Sequence, residues 1–76
     1  MLPQKIAAIQ LTLLGNARPG ITTKELFKIA REAHPDAKKK DIVHAAIGAL
    51  IAVADSDLER ALVLQNFAIR GRGGDD

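Results

Sequence analysis

Residues 21–36 read Ile21-Thr22-Thr23-Lys24-Glu25-Leu26-Phe27-Lys28-Ile29-Ala30-Arg31-Glu32-Ala33-His34-Pro35-Asp36, a helix with both ends written into the chain. Thr22 and Glu25 have the Thr-x-x-Glu spacing of a capping box, in which each side chain accepts the other residue's backbone N–H. Ile21 and Leu26 flank it at the two positions of a hydrophobic staple. Leu26, Ile29, Ala30 and Ala33 share one face at helical spacing, with Phe27 at its edge. Lys24, Lys28, Arg31 and Glu32 take the opposite face. The helix stops at His34-Pro35-Asp36, because the residue before a proline avoids helical angles.

Upstream, residues 3–14 predict a first helix. Pro3 suits a first turn, and Ile6, Ile9 and Leu13 make a stripe that Ala7, Leu11 and Leu14 broaden. Gly15-Asn16 stops it, and Arg18-Pro19-Gly20 reads as a type II turn. Downstream, a third helix is expected from about Ala37 to Ala54, capped by Asp36. From Ile42 onward it is apolar on nearly every side, the mark of a helix buried on more than one face. Residues 56–70 admit two readings. Ser56 and Glu59 form a second capping box, Asp57 suits a helix N-terminus, and Leu58, Leu62 and Ile69 keep a helical phase. Leu62-Val63-Leu64-Gln65-Asn66-Phe67-Ala68-Ile69 is also rich in strand formers. The expected fold is mostly α, with a small helix-turn-helix-like three-helix core and a C-terminal fourth element, either a helix or a β-hairpin wing. Residues 1–70 form the single domain and 71–76 a flexible tail.

The composition narrows the function classes. A chain of 76 residues has room for one domain, and a domain this small usually gains stability from a disulfide, a metal or a partner. It has no cysteine, and two histidines are too few for a structural zinc, which leaves a partner. Ala45, Gly48 and Ala52 form the least bulky face of the third helix, where another backbone can approach closely. They are the expected homodimer interface. Aromatic residues are only 3% of a chain that is 47% hydrophobic, which favours helices packed through small side chains. No apolar run approaches the about 18 residues of a membrane span, no signal-peptide cleavage site is evident, and the expected location is the cytoplasm.

Little in the chain can do covalent chemistry. Cysteine and tyrosine are lacking, and Ser56, the sole serine, is explained as a cap. His34 and His44 read as structural or solvated, although a pairing of His44 with Asp41 has the residue types of an acid–base couple. No catalytic residue, metal ligand or cofactor is expected, and the chain reads as non-enzymatic. Its charge is informative where it is concentrated. The net charge is +2, yet residues 21–40 hold six Lys or Arg against three acids. Lys38, Lys39 and Lys40 begin a helix, where the dipole opposes cations. The same spot gathers ammonium groups and free backbone N–H groups, which suits a phosphate. Lys24, Lys28 and Arg31 extend the patch, and His44 lies near it. The bland reading of the lysines is a solubilising face.

Residues 21–47, with Thr23-Lys24-Glu25-Leu26, His34-Pro35-Asp36 and Ile42-Val43-His44, resemble the DNA-binding half of ferric-uptake-regulator type repressors over about a third of the chain. That resemblance implies a winged helix-turn-helix whose third helix meets the major groove. A weaker one, carried by Lys39-Lys40-Asp41, the apolar helix after it, Leu62-x-Leu64-x-Asn66-Phe67 and Arg70, is similar to the HU/IHF bacterial histone-like proteins. It implies an intertwined dimer on DNA. Both imply duplex DNA as partner; the charge patch supplies the expected contacts, Lys24, Lys28, Arg31, Lys38, Lys39, Lys40 and His44. The reading from a different class is a small adaptor or inhibitor that meets a protein partner through apolar helix faces.

Overall fold

A computed structural model describes residues 3–72 of the chain, and the side chains of 5–71. Among them are four helices and no strand: α1 (Pro3–Asn16), α2 (Thr23–Ala33), α3 (Lys39–Val53) and α4 (Leu58–Arg72). They form a small bundle in which α3 packs on α4 and α1, and α2 closes the ring by packing on α1 and α4. The diagonal pairs, α2 with α3 and α1 with α4, barely touch. The radius of gyration, 11.0 Å, matches the about 11 Å of a close-packed chain of this length. No helix among the described residues is long and apolar enough to cross a membrane.

The helix starts show which local signals govern. Thr22 Oγ1 accepts the Glu25 N–H at 3.0 Å and Glu25 Oε1 accepts the Thr22 N–H at 3.0 Å, so the capping box of α2 is complete. The start of α3 lies later than Asp36. Lys38 is its N-cap, and Asp41 Oδ2 accepts the Lys38 N–H at 3.2 Å. Lys38 has no acceptor to return the bond, so this cap is half of a box. Asp36 instead sits in the turn, paired with Lys5 of α1 at 3.8 Å. The start of α4 is likewise one residue beyond the expected Ser56. Asp57 Oδ1 accepts the Arg60 N–H at 3.1 Å, and Ser56 is exposed in the preceding turn.

The fourth element is a helix, and the expected strand alternative does not occur. Its buried stripe is Ala61, Leu64, Phe67, Ala68 and Gly71. Leu58, Leu62 and Ile69, which keep a helical phase in the sequence, form its outer face, 67%, 50% and 59% exposed. The helix also runs through Gly71 to Arg72, so the expected tail does not begin at residue 71; residues 73–76 lie outside the described residues.

The core joins Ile9 and Leu13 of α1, Leu26 and Ala30 of α2, Ile42, Ala45, Ala46 and Ala49 of α3, and Leu64, Phe67 and Ala68 of α4. It contains no buried polar side chain among the described residues. Two glycines mark close approaches. A Cβ on Gly48 would meet the side-chain amide of Gln10 on α1, the far end of a flexible chain. A Cβ on Gly71 would lie 2.6 Å from Val43 Cγ2 and 3.4 Å from the Phe27 ring. Val43 is buried and β-branched, so it has no room to move aside. The two sites should therefore respond oppositely in urea unfolding. Gly48→Ala lets Gln10 swing away and gains up to about 1 kcal/mol of helix propensity. Gly71→Ala overpacks the α2–α3–α4 junction and lowers stability by about 1–2 kcal/mol.

A basic groove between α2 and α4

The outer face of α2 places Lys24, Lys28 and Arg31 one turn apart, on the side away from the buried Leu26 and Ala30. Arg70 comes from the end of α4 and Lys39 from the first turn of α3. Together they line a surface groove of about 1180 Å³, with Glu32 as the one carboxylate among its lining residues. The helix dipoles favour Arg31 and Arg70, which sit in last turns, and oppose Lys39. The groove is not wholly polar. Ile21, Phe27 and Gly71 line it too, and Phe27 rests on Phe67 with ring centroids 4.6 Å apart and planes tilted by 38°.

Four of the seven residues expected at a nucleic-acid site are thus brought to one place: Lys24, Lys28, Arg31 and Lys39. The lysine run itself divides. Lys38 caps α3 through its backbone N–H with its side chain exposed, Lys40 and His44 lie one turn apart on the exposed outer side of α3, and all three are outside the groove lining. Asp41 is engaged with the Lys38 N–H. Sequence reasoning met Asn66 and Arg70 only as part of a resemblance and placed neither at the site. Both follow from the helical phase of α4, since residues 66 and 70 are one turn apart on one face.

The face expected to meet a second copy is placed differently. Ala45 is wholly buried within the chain, and Gly48 is covered by Gln10 of α1. The small residues of α3 admit α1 of the same chain. Ala52 alone of the three is exposed. His34 closes α2, donating its N–H to the Ala30 carbonyl at 2.9 Å, and its ring Nε2 shares a 2.7 Å hydrogen bond with Thr12 Oγ1. Among the described residues no three His, Asp or Glu side chains gather as a metal site. Comparison of the chain with known protein families, curated proteins and solved structures finds no significant match.

Beside the groove, the Glu25 carboxyl is held below its ordinary range, chiefly by the backbone N–H of Thr22 and then by the Thr22 hydroxyl. A carboxylate with a depressed folded pKa stabilises the fold above its unfolded value, about 4.3, and loses that contribution as the pH falls through the folded value. Unfolding measured from pH 7 to pH 2 should show Glu25→Gln less stable than the parent at neutral pH, with the difference closing below pH of about 4. Thr22→Ala, which removes the other half of the box, should cost about 1 kcal/mol at neutral pH.

Proposed function

We propose that this protein is a small, non-enzymatic DNA-binding protein of the cytoplasm, a transcription regulator or nucleoid-associated protein, that grips phosphates through the groove between α2 and α4. The observation that carries this is the convergence of Lys24, Lys28, Arg31, Lys39 and Arg70, from three helices, around one groove with a single carboxylate. A chain of net charge +2 has no general need to gather five cations at one place. Phosphate binding rewards such gathering, because each neutralised phosphate releases counterions. Lys38 and Lys40 extend the positive surface beyond the groove to flanking phosphates, and His44, exposed one turn from Lys40, adds a hydrogen-bonding ring there. Binding by phosphate contact alone discriminates weakly between sequences.

Titration of a labelled duplex against the protein at increasing salt tests this. The affinity should fall steeply with salt, and replacing Lys24, Lys28 and Arg31 with Ala should lower the slope of log K against log salt by about three, one per lost contact. The Lys38→Ala, Lys40→Ala pair should act more weakly than the α2 triple. Failure to bind any nucleic acid at low salt would overturn the reading.

A second reading has its own observation. Leu11, Ile51 and Leu58 are 71%, 71% and 67% exposed, and Ile47, Leu62 and Ile69 are also exposed. Such side chains suit a protein partner, a second copy included, where they adjoin as one patch. On this reading the dimer contact is the outer side of α3 and α4, not the Ala45–Gly48 stripe. Sedimentation at tens of micromolar should then show a dimer whose formation is insensitive to salt and abolished by Ile51→Glu; a monomer throughout would remove it.

A further inference from the structure

The cations of the groove account for phosphates, but they leave its apolar wall without a counterpart. A duplex keeps its base faces stacked within and offers such a wall sugars, phosphates and groove edges, but no open π-face. We propose that the groove seats an unpaired nucleic-acid strand, with a base lying against Phe27 and the phosphates held by Lys24, Lys28, Arg31 and Arg70. This rests on the nucleic-acid reading above and specifies which form of nucleic acid the groove selects.

Three observations support it. First, the chain has two aromatic residues, and the fold puts them together. Phe67 is 1% exposed and backs Phe27, which keeps part of its own surface on the groove. A ring fixed from behind loses little freedom when a base stacks on it. Second, Asn66 of α4 stands exposed in the same groove, and its amide offers donors and an acceptor to a base edge. A duplex has its pairing edges occupied; an unpaired base does not. Third, the apolar track is longer than one ring. A smaller cavity of about 210 Å³ shares Ile21, Thr22, Thr23 and Asn66 with the groove and continues along Leu62 and Val63 of α4. A cationic track beside an aromatic platform is the arrangement by which proteins hold single strands with little regard to sequence, since every base has a π-face.

Fluorescence anisotropy with a labelled 12-nucleotide oligothymidine, and with a duplex of the same length, tests the proposal on the full chain. The single strand should bind at least five times more tightly than the duplex at equal salt. Phe27→Leu, which keeps apolar bulk against Phe67 but removes the π-face, should weaken the single strand about tenfold, the scale of one lost stack. It should change duplex binding less than twofold. Asn66→Ala, at an exposed site, should also weaken the single strand selectively, whatever Phe27→Leu does to folding. A duplex bound as tightly as the single strand, or variants that weaken both equally, would overturn the proposal and leave the phosphate reading standing. Binding of neither would overturn both.

Discussion

Ala45, Ala46 and Ala49 have no exposed surface, and the rest of the bundle follows from that. A helix that buries three short side chains completely must have neighbours on two sides, and their backbones must come close. Alanine contributes little buried area itself. Its value lies in what it admits: Ile9 and Leu13 from α1, Leu64 and Phe67 from α4, all members of one cluster. With α3 covered on both sides, α2 is left to bridge α1 and α4 from across the ring. It therefore sits on the surface, with only Leu26 and Ala30 fully turned inward and its charged face open.

That placement makes the groove. α2 and α4 meet through Phe27 and Phe67, and Gly71 allows the end of α4 to lie against Phe27 and Val43. Without that contact Arg70 would have no fixed relation to Lys28 and Arg31. The cationic rim and the packing of the bundle are thus two sides of one junction. A side chain at 71 crowds the core and the groove wall together.

What could be read from the sequence was what depends on residues three or four apart. The Thr22–Glu25 box, the charged face of α2 and its stop at His34 are decided locally, and they are found as expected. The apolar character of α3 is equally plain, but not which of its faces meets which helix. Ala45 and Gly48 look like an outward contact surface until α1 is laid on them. In α4, two interleaved apolar stripes compete. The larger residues Leu58, Leu62 and Ile69 attract attention, while the stripe that is buried contains alanines and a glycine beside Leu64 and Phe67. Choosing between them requires knowing that α3 presents alanines and needs larger partners only at 64 and 67. The membership of Asn66 and Arg70 in the groove depends on that choice, and so was legible only after it. The caps of α3 and α4 differ from expectation because backbone geometry, rather than residue type alone, sets the helix start: α3 begins at Lys38, which has no acceptor, although Asp36 is near, and α4 takes Asp57 over its neighbour Ser56.

At the far end of α4, Arg60 ties two connections together. Its Nε–H donates to the Ala17 carbonyl at 3.2 Å, and its guanidinium pairs with Asp57 at 3.5 Å. The bond joins residues 43 positions apart in the chain. Peeling α4 away would free the Ala17 carbonyl in the same event that exposes Leu64 and Phe67. The connection from α1 to α2 therefore loses a contact whenever α4 opens. Amide exchange in that connection is expected to rise when α4 is destabilised, in place of the independent fraying usual for a surface loop and a terminal helix.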